Sequence, residues 1–599
     1  MNPRLRQLLA LLLLLAGVLL WWRFGRGQPG ALPQPWKMLA VVAICSLPPV
    51  YRRISAAVDR LRQPSPRALR FATLAVFVLA TVFLVAAGFY QERELIPKIH
   101  DEYMHLLQVQ TLSRGRLWMP PHPAADSFES FHIFVRPVYA SIYFPGTALM
   151  YLPAAWLGLP YWALPALVAG AGAAMLFRVT AEMIDAVYAA LAALLLLSLT
   201  QFRYLSLIVL SHSVMLLLGL TLIWAWLRWR RDRALAWAAA VGALGGWAAI
   251  TRPVDALCYS IPVGVAMLWE MRRMPPKRIA ATVGVILAAA SPLLALQLAL
   301  NVGVTGKLVE TPYRRYCDLY TPQMTFGFHR FDPTVGPQTE LPQRVRYYEK
   351  FTVPAAAEHR RDRIWQTWRD KRIPLIVRNA LPTGALLVLL PAALLALRGP
   401  RWVFVGLGVL FIGFYACFAY LLRHYIVLLA PAVLVGALLG ARAIVETFPR
   451  ARAWTETLAC AFIVIFALRA MPRAGRAPKD DPYDFPALIF DHRRLPSLVQ
   501  TPALVLYRFD PNEVVRYQGS VTDPVHEEPV YNVGVAWPDD AAIVRAHERS
   551  AEQNAALFRY YADRQPARRV YLVDRLRAGE AGYRPQFLGT VTELATGAQ

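Results

Sequence analysis

Cysteine and acid are the scarce materials of this chain. It has five cysteines in 599 residues, and Cys45, Cys258, Cys417 and Cys460 lie inside apolar runs. Only Cys317 lies in a polar loop, so no disulfide framework is implied. Aspartate and glutamate number 39 against 64 lysine and arginine, leaving a formal net charge of +25. That excess does not read as a nucleic-acid surface. The arginines sit in short loops between apolar runs, which is the pattern that orients membrane helices with basic loops toward the cytoplasm. There is no repeat of fixed period and no low-complexity tract. A zinc-protease helix is missing too. "KIHDEYMHLL" (98–107) places His100 and His105 five apart, and at ~100° per residue they diverge by ~140° on a helix. Two ligands to one metal would need a spacing of four.

What the chain has in abundance is apolar length. Hydrophobic residues make up 56% of it, in runs long enough to cross a bilayer, which takes ~20 helical residues. Thirteen spans are expected, near 4–22, 37–51, 70–90, 160–178, 185–203, 206–228, 234–250, 254–271, 278–300, 376–397, 402–420, 424–443 and 454–470. The first follows a basic start and shows no small-residue cleavage site, so it is expected to be a retained helix. The basic stretches "YRRISAAVDRLRQPSPRALR", "RWRRDR", "MRRMPPKR" and "RGPR" should all be cytoplasmic. An even number of crossings must then separate them, which puts loops 91–159 and 301–375 outside. Within the first of these, "PGTALMYLPAAWLG" (145–158) is too short to cross and is expected to lie at the outer face. The expected architecture is an α-helical polytopic membrane protein with three parts. Residues 1–69 form a two-helix membrane extension and 70–470 the transmembrane core. Residues 471–599 form a small soluble α/β domain on the outer side, with strands at "ALVLYRF" and "RRVYLVD" and a helical pattern over "DDAAIVRAHERSAEQNAALFRYYADR".

The ionisable residues collect at the outer ends of the spans. Asp101 and Glu102 follow a span directly. They are either a helix-start pair serving the dipole or a pair serving proton transfer. The same loop carries His105, His122, Asp126, Glu129, His132, Arg136 and Tyr143 among aromatics, and at ~50 residues it is long enough to be functional. Downstream outer turns supply cations: Arg252 in "AITRPVD", Arg423 and His424 in "YLLRHYIV", and Lys307, Arg314 and Arg315 beside Tyr313 and Tyr316. Guanidinium forks match phosphate oxygens, while snorkelling to lipid headgroups is the bland alternative. Acids and cations together on one face suit a phosphorylated lipid donor and an acceptor hydroxyl. A transporter or flippase of a phosphorylated lipid or glycan would instead place charges near span midpoints. Here only His212 and Ser213 stand out inside a span. A scaffold built on the C-terminal part is a third reading, and that part is expected to bind the acceptor or a partner.

The ordered set "HDEYMHLL…FESFHIFVRPVYASIYFPG", "TRP", "TGKLVETPYRRY" and "RHY" resembles the GT-C membrane glycosyltransferases. It is closest to the bacterial branch related to protein O-mannosyltransferases and the aminoarabinose transferase of lipid A. The resemblance covers roughly residues 70–470. It implies a hexosyl- or pentosyltransferase of the bacterial inner membrane. Such an enzyme moves a sugar with inversion from a polyprenyl-phosphate donor to a glycan, lipid or protein acceptor on the periplasmic side. It implies Asp101 as base or acceptor-orienting group with Glu102 beside it. It places Arg423 and Arg252 at the lipid phosphate, with His424 and Lys307 near. His105, His122, Glu129, His132, Arg136, Tyr143, Tyr313 and Tyr316 would line the pocket. "YFPG" lacks the lysine and second proline that related enzymes often carry there. No cofactor is required. A divalent cation is compatible with Asp126, Glu129, His122 and His132, but their spacing matches no standard site and no metal is assigned.

Overall fold

The computed structural model describes residues 2–26, 35–470, 485–510, 515–517, 520–522 and 528–597. The expected boundary of the C-terminal domain at 471 falls outside them. Eight helices among the described residues are long and apolar enough to cross a bilayer: Pro3–Gly25, Pro66–Tyr90, Ala163–Met183, Ser211–Asp232, Pro253–Met271, Pro276–Thr305, Gly399–Ala416 and Ala430–Thr447. A ninth is a pair, Leu39–Ser46 and Pro48–Arg62, bent by 84°. Proline at the first turn starts several of them, where its missing N–H costs nothing. Their outward faces are greasy. Phe71, Leu74, Leu79 and Val82, and on another helix Leu287 and Leu294, are exposed, as a lipid-facing surface requires.

Three of the thirteen expected spans take other forms. The segment 185–203 is a helix Ala186–Leu197 that breaks before a short turn, Thr200–Leu205. The Arg203 guanidinium takes up carbonyls at the break, those of Leu197 and Ser198. The helix Leu235–Ala249 has 15 residues, ~22 Å of rise against a ~30 Å hydrocarbon core. The segment 376–397 ends its helix at Ala380 and continues as two short 3₁₀ pieces, Gly384–Val388 and Pro391–Ala396. Pro382 and Pro391 remove backbone donors, and the pieces wedge against Gly17 and Gly440, where a Cβ would collide with the Val388 and Leu389 carbonyls, and against Gly25, whose carbonyl a Cβ at residue 384 would meet. One face of the N-terminal helix is thus packed against the rest of the membrane part, and Arg6 pairs with Glu446 at 3.0 Å. The last segment, 454–470, lies within a helix, Ala451–Ala470.

The basic loops gather at one end. Arg62 pairs with Asp185 at 3.2 Å and Arg230 with Glu270 at 2.6 Å. Arg401 and Arg442 donate to the carbonyls of Met183 and Ile184 at 2.9 and 3.0 Å. At the other end stands the loop 91–159, expected to be the first outer loop, with the helix His100–Ser113 near its start. The stretch 145–158 is a helix, Gly146–Leu157, closed by Gly158 at φ +60°.

The C-terminal part holds a four-stranded sheet. The strands run in the order Ile543–His547, Ala503–Arg508, Arg569–Asp574 and Gln586–Thr590, the first three parallel and the last antiparallel. The expected long helix therefore starts later. Val544 and Ala546 are buried as strand residues beside Leu504 and Leu506, and Ser550 caps the helix Ala551–Arg564 by accepting the Gln553 N–H at 3.2 Å. The sheet shares one core with the first outer loop: Tyr103, Leu107, Phe128 and Ile133 pack with Leu504, Tyr531, Val544, Tyr561 and Leu572.

Candidate active site

The helix His100–Ser113 begins without a Ser, Thr, Asp or Asn cap. Glu102 turns back instead, and its Oε1 accepts the N–H groups of Lys98 and Ile99 at 3.3 and 3.2 Å. Glu102 is 1% exposed. Asp101 is one residue earlier, so its side chain leaves the helix ~100° away. Its Oδ1 meets His132 Nδ1 at 3.2 Å. The Tyr143 hydroxyl reaches the same nitrogen at 3.1 Å and also bonds the Asp101 carboxylate. Burial works to raise the Asp101 carboxyl. The hydrogen bond and charge of His132, the Tyr143 hydroxyl and His105 outweigh it and hold the group well below the usual carboxylate range. Asp101 is therefore an anion at any ordinary pH, with about a third of its side chain open to solvent.

His132 is placed by its backbone. It sits at φ +62°, a left-handed conformation uncommon outside glycine. Its N–H donates to the Tyr316 hydroxyl at 3.0 Å, and its carbonyl accepts from Ile142 at 3.0 Å. His105 packs on the Tyr143 ring at 4.8 Å. Burial pushes its imidazole down to about 4, with Arg252 adding to the effect and Asp101 opposing it, so it is neutral at neutral pH. Tyr313 faces Tyr143 at 6.4 Å.

Arg252 comes to this group from the turn between Leu235–Ala249 and Pro253–Met271. It lies over the Tyr425 ring at 4.8 Å and bonds Asp255 at 2.6 Å, Ser211 Oγ at 3.2 Å and the Tyr415 hydroxyl at 3.3 Å. It points into the protein and leaves N–H groups of its fork for a ligand. His424 meets His212 at 4.8 Å and Tyr425 at 4.8 Å, and it feels the charges of Asp101, Arg252 and Arg423. Asp101, His105, His132, Tyr143, Arg252, Tyr313 and His424 are thus one electrostatically connected group.

Other candidates lie elsewhere, each for a visible reason. Lys307 is exposed and paired with Glu310 at 2.9 Å. Arg136 pairs with Asp126 on the surface. His122 faces away, with Nε2 on Asp539 at 2.9 Å and Nδ1 accepting the Ala124 N–H. Glu129 is a clamp, bonded to Arg344 at 2.8 Å, Thr339 at 2.6 Å and Arg549 at 3.4 Å. Tyr316 supports His132 from behind. Asp126, Glu129, His122 and His132 do not converge, and among the described residues no group of three or more His, Cys, Asp or Glu could hold a metal ion. The sequence reading missed Asp255, Tyr415 and Tyr425 around Arg252, and Tyr531 behind His100. Asp255 had a local signal, three residues after Arg252 in the first turn of the next helix; Tyr415, Tyr425 and Tyr531 acquire their places across the fold.

No family model and no curated protein matches the chain. Solved structures similar to it include two of ArnT from Cupriavidus metallidurans. The crystal structure bound to undecaprenyl phosphate is 14% identical, covering 84% of this chain and 89% of that one at a TM-score of 0.41. The apo structure is 13% identical, covering 88% and 99% at a TM-score of 0.45.

Proposed function

We propose that this protein transfers a sugar from a polyprenyl-phosphate donor to an acceptor hydroxyl at the outer membrane face, with inversion at the anomeric carbon. The observation that carries this is the ionised Asp101, held by His132 and Tyr143 in the same charged group as Arg252 and His424. The acceptor oxygen attacks the anomeric carbon while its proton passes to the Asp101 carboxylate. The bond to phosphate breaks with both electrons going to the phosphate oxygen. Arg252, Arg423 and His424 stabilise that leaving anion. Ordered motifs resembling the GT-C transferases support the same chemistry.

One feature favours a second assignment within this reaction. Asp101 binds a proton weakly, and the contact with His132 Nδ1 leaves Nε2 available. Asp101 would then orient the imidazole and His132 would take the proton. The test uses full-length protein in lipid nanodiscs with a polyprenyl-phosphate-linked sugar. Asp101→Asn should bind polyprenyl phosphate like the parent and transfer sugar ~10²–10⁴-fold slower. Parental turnover would overturn the assignment. If His132→Gln loses as much as Asp101→Asn, the proton goes to His132; a smaller loss leaves it on Asp101.

A further inference from the structure

The hydroxyl of Tyr531, in the C-terminal domain, touches the residue immediately before each member of the Asp101–His132 pair. It lies 2.9 Å from Nδ1 of His100 and donates to the Phe131 carbonyl at 3.4 Å. The two groups are also in contact with each other, for the His100 ring stacks on Phe131 at 4.2 Å. Tyr531 itself is 4% exposed and stacks on Tyr103, one turn along the same helix, at 4.3 Å and 10°. One side chain therefore ties the start of the helix that carries Asp101 to the loop that carries His132.

Two further bonds hold that loop from the same side. His547 Nε2 bonds the Glu129 carbonyl at 2.7 Å, and Arg549 donates to the Asp126 carbonyl at 2.6 Å. From the opposite side Arg344 donates to the carbonyls of Ser130 and Ile133. Residues 126–133 are thus gripped between the C-terminal domain and the second outer loop, and the grip ends at His132 in its left-handed conformation.

We propose that Tyr531 is a positioning residue for Asp101 and His132, so that the C-terminal domain completes the active site; this rests on the transferase reading above. The domain's role is to fix a distance. Without the hydroxyl bridge, His100 and Phe131, the residues behind the pair, keep their ring contact, which defines separation less sharply than a hydrogen bond does, and the Asp101–His132 bond loses that support. A misplacement of ~1 Å in a reacting pair can cost ~10²-fold in rate.

Tyr531→Phe in the full-length protein tests this, because it keeps the ring on Tyr103 and removes only the oxygen. Carbodiimide-driven amidation of carboxyl groups, read by peptide mass spectrometry, reports the state of Asp101 without any need for activity. Labelling of Asp101 should rise in Tyr531→Phe, while Asp539, elsewhere in the same interface, stays at the parental level. Unchanged Asp101 labelling overturns the proposal, and so does a joint rise at both sites, which would mean general loosening. In transfer assays the variant should lose turnover by up to ~10²-fold, keep the parental KM for donor, and shift the acid limb of its pH profile upward. If the parent transfers no sugar and Asp101 still responds, the positioning role stands and the transferase reading falls.

Discussion

Asp101 and Glu102 are neighbours with different work. Glu102 closes the helix start, and its glutamine variant keeps an oxygen that can accept the same two N–H bonds. Glu102→Gln should therefore retain turnover per folded molecule and lose stability through the helix dipole and its other charge interactions, measured by thermal melting beside the Asp101→Asn assay. The pH dependence follows from the depressed Asp101 carboxyl. Its carboxylate, and the stabilisation it supplies, are fully present above the unfolded value of ~3.9 and are lost only as pH falls through the lower folded value. The acid limb of transfer should lie below the ordinary carboxylate range. His132→Gln should move it up, since His132 supplies the main opposing hydrogen bond. Arg423→Ala should weaken polyprenyl-phosphate binding by ~1.5–3 kcal/mol and Arg423→Lys by less, because lysine keeps the charge without the fork. Equal binding by both and by the parent would remove Arg423 from the phosphate site.

The elements explain why two of the short motifs occur. Gly146 of "YFPG" donates its N–H to the Ile250 carbonyl at 2.7 Å, and Trp247 Nε1 donates to the Gly146 carbonyl at 2.8 Å. A Cβ at residue 146 would overlap Thr251 and that carbonyl. The end of the first outer loop is thereby stitched to the "TRP" turn that presents Arg252. Gly146→Ala should cost ~1–3 kcal/mol through overpacking and lower activity with it. Arg252 also carries a structural burden, since Asp255 beneath it is 1% exposed. Arg252→Ala strands that charge and should cost ~3–5 kcal/mol. A loss of donor binding in this variant must therefore be judged against its melting temperature.

At the scale of the whole molecule, the C-terminal domain and the membrane core form one structure around the first outer loop. Asp539 marks the seam: it accepts from His122 at 2.9 Å, Tyr560 at 2.6 Å and Tyr561 at 2.7 Å. Burial works to raise its carboxyl, and these three bonds hold it down at about 2. The seam should be intact above ~3.9 and weaken as pH falls toward that lower value. Amide exchange in the helix Ala551–Arg564 would show this as protection lost only in acid. The gathering of arginines at the opposite end predicts an orientation with that end cytoplasmic. A periplasm-dependent reporter should be active when fused after residue 599 and silent near residue 60; reversal of both signals would end the outer-face site.

The sequence by itself determined the membrane character, most of the spans, the acid-and-cation pattern at their outer ends and the existence of an α/β tail. These follow from local quantities: run length, arginine placement and residue spacing. It determined less where local signals are ambiguous. An apolar run does not say whether a helix such as Leu235–Ala249 stops short, and a mixed pattern at 539–564 does not reveal that its first part pairs as a parallel edge strand. Only the tertiary structure separated Asp101 from Glu102, sent His122 and Glu129 to the seam with the C-terminal domain, and set Ser211 and Tyr415 against Arg252. It also set Tyr531 behind Asp101, 430 positions away in the chain. Those choices depend on which polar groups meet after folding. A buried charge or hydroxyl takes whatever partner the packing brings, and sequence separation carries no record of that meeting.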